Sequence, residues 1–236
     1  MNPRALCFVG SLAFLALVGE SAGEATRPPN LLFILTDDQR FDMLGVETPH
    51  LITPELDRLA VEGLRFTRSF VTSPICAAGR ASVLTGVVER THRYTFYTPP
   101  LAPAWVEASY PALMRAHGYR TGYYGKLGVN LPAGSTAELF DDYEEIFRNP
   151  YWKVLPDGTR RHTTDLIADR AMDFLASAAE DRRPFCLAIG FNAPHAEDAD
   201  PMQYFPPPGT EHLYEGFEVP PAPKSEPRFY DHLPAY

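Results

Sequence analysis

A cysteine and an arginine stand four residues apart in a short segment with helical character. The segment covers residues 73–86 and reads SPICAAGRASVLTG, with Cys76 and Arg80 one helical turn apart. Residues at this spacing share one face of a helix, and the free N–H groups of a first helical turn attract anions. The spacing therefore predicts an anion site around a nucleophile, with the charge of Arg80 above Cys76.

Two adjacent carboxylates follow a continuous apolar run. Residues 31–35 (LLFIL) predict a strand buried on both faces, and Asp37 and Asp38 come directly after it. Neighbouring carboxylates repel each other unless water or a cation joins them. The pair is therefore either a metal-binding pair or a solvated turn or helix N-cap, and both interpretations stay open at this point.

Two further candidates follow predicted strands. Lys126 comes after the candidate strand at 120–124, and His195 follows the apolar run at 185–191. An ammonium group can neutralise a tetrahedral anion, and an imidazole with an unperturbed pKa near 6.5 suits proton transfer. The alternatives are a solvated loop lysine and a structural histidine. His92 is kept as a candidate substrate contact.

Strand and helix patterns alternate between these residues. The helical patterns cover residues 54–63, 80–86, 109–117 and 164–179. The first of these helices is predicted to cover the sheet, and an alternating segment at 64–71 to return toward it. This order predicts an α/β fold with a mostly parallel sheet flanked by helices, in which chemistry collects at the carboxyl ends of the strands.

The two ends of the chain differ in composition from the middle. Residues 1–25 place Arg4 before an apolar run and then small residues, a layout typical of a secretory signal peptide and too short to span a bilayer. We therefore expect export to the periplasm or the medium, with no membrane contact after cleavage. Residues 201–236 are rich in proline, which predicts extended loop.

Composition limits the classes of partner. The 236 residues are 45% hydrophobic, which is enough for a sizeable core, and the net charge of -9 without a basic cluster argues against nucleic acid binding. Cys76 and Cys186 would be the two cysteines of the exported chain. In an oxidising compartment such a pair favours a disulfide unless Cys76 has another role.

The motifs together resemble those of the formylglycine-dependent sulfatases, which belong to the alkaline-phosphatase-like superfamily. The segments that carry the resemblance are residues 30–40 (NLLFILTDDQR), 76–86 (CAAGRASVLTG), 118–126 (GYRTGYYGK) and 191–195 (FNAPH). They occur in the same order as in that family, and this order is far more specific than any single motif.

The resemblance implies a sulfuric ester hydrolase in which a maturation enzyme oxidises Cys76 to formylglycine. One hydroxyl of the hydrated aldehyde attacks sulfur, and the second, once deprotonated, expels sulfate. The substrate would be a sulfated small molecule or glycan. The implied roles are catalysis by Cys76, Arg80, Lys126 and His195, substrate binding by Lys126 and His195, and coordination of one Ca²⁺ ion by Asp37, Asp38 and the modified Cys76.

The sequence departs from the family pattern at two points. Many members have a histidine two positions after the lysine, where this chain has Gly128. Further metal ligands are expected well after His195, and residues 196–236 contain no matching segment. Residues 26–236 are therefore predicted to be the N-terminal portion of a catalytic domain that is truncated at its C-terminus. The alternatives are a phosphonate or phosphate monoester hydrolase of the same superfamily, or an inactive fragment in which Cys76 and Cys186 pair.

Overall fold

The computed structural model describes residues 27–96, 99–221, 226–229 and 231, and the predicted signal peptide lies outside them. None of the helices in these ranges is long and apolar enough to cross a membrane. The elements in chain order are β1 (Leu31–Asp37), α1 (Pro54–Glu62), α2 (Cys76–Thr85), α3 (Glu89–His92), α4 (Pro103–Glu107), α5 (Tyr110–Ala116), β2 (Arg120–Gly125), α6 (Ser135–Leu139), β3 (Asp142–Glu145), β4 (Trp152–Val154), β5 (Arg160–His162), α7 (Thr163–Glu180), β6 (Phe185–Pro194) and a 3₁₀ turn (Pro227–Phe229).

A four-stranded parallel sheet in the order β1-β6-β2-β3 organises the molecule. The strand last in sequence, β6, therefore lies between β1 and β2. Since all four strands are parallel, their carboxyl ends meet at one edge of the sheet. The predicted α/β fold with a mostly parallel sheet is confirmed. A separate antiparallel pair, β4 with β5, was not predicted from the sequence.

Apolar side chains pack on both faces of this sheet because successive strand residues point to opposite sides. On one face Tyr123 and Ala188 join a cluster that includes residues of α2 and α4. On the other face Tyr124 and Ile189 pack with α7, whose Phe174 is 2% exposed. Full burial of such a side chain contributes about 1.5–3 kcal/mol. Helices on both faces thus hold β2 and β6 in a rigid frame.

The first strand differs from its prediction. The run at 31–35 does form β1, but Leu32 and Ile34 are 50% and 51% exposed, so the prediction of burial on both faces is wrong. The physical reason is position, since β1 is an edge strand that pairs with β6 alone among the described residues. An apolar run predicts a strand with apolar neighbours, but it does not predict whether that strand lies at the edge of the sheet.

Two expectations about the segment after β1 are also wrong. The helix α1 forms as predicted, but none of its residues is buried, so it does not cover the sheet. Residues 64–71 form turns and exposed coil in place of a returning strand. Alternation of apolar and polar residues is not sufficient where no neighbouring strand supplies hydrogen bonds. The described part of 201–236 contains no α-helix or strand, as the proline content predicts.

Candidate active site

Three of the predicted site residues lie at the carboxyl edge of the sheet. Asp37 is the last residue of β1, Lys126 directly follows β2, and His195 directly follows β6. The register pairs Asp37 with Pro194, next to His195. The strand order therefore brings together side chains that are up to 158 positions apart in a chain of 236 residues. Only parallel pairing of non-consecutive strands produces this arrangement.

The helix α2 carries the other two candidates. It begins at Cys76 after the extended residue Ile75, without a side-chain cap, and ends at Thr85. The next residue, Gly86, caps the helix with a φ of 73°, which favours glycine. Its inner face includes buried alanines, which allow close approach to the neighbouring elements. Arg80 lies on this buried side and Cys76 is partly buried at the first position. The N–H groups of the first turn are therefore available to an anion at Cys76.

A buried ion cluster forms where α2 meets the sheet edge. The Nζ of Lys126 donates to Oδ2 of Asp37, and Nη2 of Arg80 lies 3.6 Å from the same oxygen. All three residues are at most 8% exposed. Buried charges are stable when they are paired, and here two cations face one carboxylate. The cluster carries one positive charge in excess, which an anion such as a sulfate ester would balance.

The backbone at Lys126 is fixed by several contacts. Its N–H donates to the carbonyl of Gly190 over 2.8 Å, and its own carbonyl accepts from the hydroxyl of Tyr123 over 2.7 Å. At Gly125, φ is 100° and a Cβ atom would clash with Gly190, so this approach requires glycine. Burial raises the pKa of Tyr123 to about 12, so its hydroxyl stays a donor at neutral pH. The backbone of Lys126 is thus fixed at the sheet edge, from which its side chain reaches Asp37.

His195 and Asp38 form a second contact group. The Nδ1 of His195 is 2.8 Å from the carbonyl oxygen of Ala196, and because a carbonyl only accepts, Nδ1 carries the proton. Its Nε2 lies 3.4 Å from Oδ2 of Asp38, which is an ion pair when the ring carries both protons. Asp38 has a φ of 63°, which turns the chain directly after β1. Nε2 is therefore the ring nitrogen that faces the site.

The cysteine thiol is free. Cys76 and Cys186 are both unpaired, so the alternative in which they form a disulfide is wrong. Cys186 is buried in the central strand, where loss of solvation raises its pKa to about 11 and makes it a poor nucleophile. In the described chain no hydrogen bond joins the Cys76 thiol to Arg80, Lys126 or His195. Its relation to them comes from the helix that it begins.

The residues at the edge fit a hard cation in part. Carboxylate oxygens suit calcium, and Asp37 and Asp38 offer them at one strand end. Both cationic contacts of Asp37 use Oδ2, so Oδ1 is the oxygen that a metal ion would take. Calcium needs about six to eight oxygens, and no cluster of three or more His, Cys, Asp or Glu suited to a metal occurs in the part of the chain that the structure describes. At this strand end, the described residues therefore offer a cation the carboxylates of Asp37 and Asp38.

His92 does not fit its expected role. It is 5% exposed, its Nδ1 accepts from the N–H of Tyr94, and its Nε2 lies 3.0 Å from Oγ of Ser82 on α2. Burial lowers its pKa, which keeps the ring neutral. Since both nitrogens are used inside the protein, the expectation of a substrate contact is wrong. His92 instead joins α3 to the helix that carries Cys76.

Sequence reasoning missed two polar residues near the same edge. Glu145 ends β3, a strand that the sequence pattern did not predict. Asn192 lies in β6, is 1% exposed, and donates through Nδ2 to the carbonyl of Ile146, whereas its Oδ1 has no partner among the described residues. The position of Asn192 just after the apolar run at 185–191 was a usable signal. No comparable local signal marks Glu145.

Known proteins resemble this chain in sequence. A family model described as Sulfatase matches residues 29–225. The N-acetylglucosamine-6-O-sulfatase of Bacteroides thetaiotaomicron is 28% identical over 204 residues, which are 82% of this chain and 36% of that protein. An extracellular sulfatase, the SULF-1 homolog of Drosophila melanogaster, is 28% identical over 234 residues, which are 91% of this chain and 20% of that protein.

A solved structure has the same fold. The phosphonate monoester hydrolase of Agrobacterium radiobacter superposes with a TM-score of 0.63 at 20% identity, covering 82% of this chain and 45% of that one. Across these three proteins, the chain spans between 20% and 45% of the relative's length.

Proposed function

Because this chain belongs to the sulfatase family, we propose that it supplies the nucleophile and the sulfate-binding part of a sulfuric ester hydrolase. One observation carries the proposal: the helix that begins at Cys76 places Arg80 in a buried cluster with Lys126 and Asp37. This cluster has an unbalanced positive charge next to the first turn of the helix. A sulfate ester is an anion that matches both features.

Each of these residues has a distinct part in the proposed reaction. Formylglycine at position 76, when hydrated, supplies the hydroxyl nucleophile. Arg80 and Lys126 hold the sulfate oxygens, and their burial strengthens this attraction because little water screens it. His195, with Nε2 directed to the site and Asp38 beside it, donates a proton to the leaving oxygen when its ring is fully protonated.

A divalent cation is part of the proposal. Asp37 and Asp38, together with the modified residue 76, would hold one Ca²⁺ ion, which supplies positive charge to the sulfate oxygens. Asp37 has a further task, since it keeps the ammonium of Lys126 in place. Substitution of Asp37 would therefore disturb both the metal and the lysine.

The substrate and the location are proposed from the relatives. One relative is named for N-acetylglucosamine-6-O-sulfate and another is named extracellular. We therefore propose a sulfated glycan or sulfated small molecule as substrate, and export through a signal peptide at residues 1–25. Residues 26–236 would form the N-terminal portion of the catalytic domain, matured by a formylglycine-generating enzyme.

The decisive experiment examines residue 76 directly. The chain, extended by the C-terminal half of a sulfatase relative, is coexpressed with a formylglycine-generating enzyme, and peptide mass analysis distinguishes thiol from aldehyde at Cys76. Turnover of 4-nitrophenyl sulfate is then compared with that of 4-nitrophenyl phosphate and of a phosphonate monoester. Conversion with preferential sulfate release is the expected result. An unmodified Cys76, or faster release from the phosphonate ester, would overturn the sulfatase assignment, and conversion without turnover would favour the inactive alternative.

A further inference from the structure

A cavity of about 450 Å³ opens at the carboxyl end of β3, beside the ion cluster. Its walls are the loop at 127–134, which follows Lys126, and the side chains of Tyr143, Glu145 and Phe147. The volume lies in the range of roughly 300–1,000 Å³ that is typical of pockets for small ligands.

The wall nearest the cluster is backbone. Gly128 has a φ of 64°, and a Cβ atom at this position would lie 2.9 Å from Cδ of Arg80 and 3.4 Å from Cε of Lys126. A single glycine therefore separates the cavity from both sulfate-binding side chains. Gly128 thus contacts both side chains and also lines the cavity, so the cavity begins next to the ion cluster.

The loop itself is held in place. Leu127 and Val129 are buried in the core, so the alternate positions 128 and 130 face outward. The N–H of Asn130 donates to the hydroxyl of Tyr94 over 2.7 Å, and its carbonyl accepts from Leu101 over 2.8 Å. The cavity wall is thus formed before a ligand binds, which reduces the entropy cost of binding.

Glu145 gives the cavity its chemical character. It is paired in register with Gly125, one residue before Lys126, and it is the one charged residue in the cavity lining. Its Oε1 accepts from the N–H of Gly128 over 3.3 Å, and its Oε2 accepts from the hydroxyl of Tyr143 over 3.0 Å. A carboxylate has about four acceptor positions, so two remain for a ligand. They favour hydroxyl or amine donors and repel a second sulfate.

We propose that this cavity binds the sugar ring of the substrate, and that Glu145 selects rings with free hydroxyl groups next to the sulfated position over rings with an additional sulfate there. This inference rests on the proposed sulfatase function and deepens it. The sulfate ester occupies Arg80 and Lys126, and the adjoining hydroxyls donate to Glu145. The fixed carboxylate makes polysulfated rings poor ligands, since no cation in the lining balances a second anion.

Calorimetric titration of the whole chain tests this proposal without depending on turnover. The probes are inorganic sulfate, glucose 6-sulfate and glucose 4,6-disulfate at constant ionic strength. The variant is Glu145→Gln, which keeps the shape of the side chain. The matched control is Glu144→Gln, because Glu144 precedes it on β3 and pairs with Arg170 of α7 on the other face. Thermal melting verifies that both variants are folded.

The expected pattern is specific to the carboxylate. The natural chain binds glucose 6-sulfate more tightly than inorganic sulfate and more tightly than the disulfate. Glu145→Gln weakens the binding of glucose 6-sulfate roughly tenfold, because a hydrogen bond to a charged acceptor becomes one to a neutral acceptor. It leaves the affinity for inorganic sulfate unchanged. Glu144→Gln changes none of the three affinities.

Other outcomes separate the two proposals. The cavity proposal is overturned if the natural chain binds glucose 6-sulfate and inorganic sulfate equally tightly. It is also overturned if Glu145→Gln binds glucose 6-sulfate as tightly as the natural chain does. Even if the cavity proposal fails in this way, the proposed function is retained if the natural chain binds inorganic sulfate and Arg80→Ala abolishes that binding. Absence of sulfate binding, together with Glu145-dependent binding of the sugar sulfate, keeps the cavity and rejects the sulfate site.

Discussion

Three buried side chains decide the charge at the carboxyl edge of the sheet. Asp37 shares one oxygen with Lys126 and Arg80, which holds both cations at the end of β1. A single carboxylate cannot neutralise both, and burial prevents water from doing so. The excess charge is the physical reason why we propose anion binding beside Cys76.

In a full-length context, with the chain extended by the C-terminal half of a sulfatase relative, replacement of Cys76 by alanine is expected to abolish turnover and to leave the fold intact. The side chain is small and only partly buried, so its loss removes the nucleophile without a large cavity. Turnover of an aryl sulfate and thermal melting measure the two effects. Cys186→Ala is the matched control, since this cysteine is free and distant in sequence but lies in the core strand. Substantial turnover by Cys76→Ala would contradict the assignment of the nucleophile.

Loss of either cation should slow the reaction strongly. Arg80→Ala or Lys126→Ala is expected to raise the barrier by about 2–4 kcal/mol, by analogy with loss of a donor to a developing anion. The measured quantity is kcat/KM for an aryl sulfate. Arg58→Ala serves as control, because Arg58 is exposed on α1 and forms surface ion pairs of little net value. Wild-type kinetics in either variant would remove that residue from the sulfate site.

Calcium should bind this chain weakly. Asp37 and Asp38 provide carboxylates at one strand end, and Lys126 competes for Asp37. A cation with so few protein oxygens is expected to dissociate with a constant on the order of 10⁻³ M. Calorimetric titration of calcium measures this value, and Asp38→Asn should weaken it further. A micromolar constant would show that the chain completes the metal site with other ligands.

Among the elements, α7 depends on a buried histidine at its start. His162 caps this helix, since its Nδ1 accepts from the N–H of Thr164, and its Nε2 lies 3.0 Å from the carbonyl of Phe205. Burial lowers its pKa, so the folded protein favours the neutral ring. The cap connects α7 to the Pro-rich segment and so couples this segment to the sheet.

Acid should therefore destabilise the fold through His162. A lowered folded pKa means that its contribution to stability is fully present above the unfolded pKa near 6.5 and is lost as pH falls through the folded value. His162→Asn keeps a capping side chain that does not titrate, so its melting temperature should fall less between pH 7.5 and pH 5. The control is His212→Asn, whose side chain is 84% exposed. Identical pH dependence of His162→Asn and the natural chain would contradict this role.

At the scale of the whole molecule, β1 forms an apolar edge of the sheet that the described residues build. Leu32 and Ile34 of β1 are about half exposed, and β1 pairs on one side with β6. Exposed apolar edges promote association because unpaired backbone groups can accept another strand. We expect the chain to self-associate as its concentration rises. Sedimentation velocity measures this association.

Polar substitutions on β1 should reduce that association. Leu32→Thr with Ile34→Thr keeps β propensity and removes exposed apolar area, so the monomer fraction should rise. Val61→Thr is the control, because Val61 is 79% exposed but lies on α1. If the natural chain stays monomeric, or if the double variant associates as strongly as the natural chain, the edge of β1 is not the surface through which the chains associate.

Much of the candidate site was readable from the sequence. The Cys76 and Arg80 spacing, the aspartates after an apolar run, and the positions of Lys126 and His195 after strands all depend on local patterns. Such patterns also indicate strands and helices, because side-chain periodicity follows directly from backbone geometry. The parallel sheet and the edge that carries the candidates could therefore be predicted before any coordinates.

Only the tertiary structure decided which strands and helices lie side by side. Strand order made β1 an edge, placed Glu145 next to Lys126, and buried His92 between α3 and α2, none of which has a local signal. The physical reason is that pairing between strands distant in sequence depends on how all the elements pack. An apolar run has the same local sequence in a central or an edge strand, and a histidine has the same local sequence whether it is buried or exposed. The sequence by itself determined which residues are candidates for the chemistry, and the packing determined which of them meet.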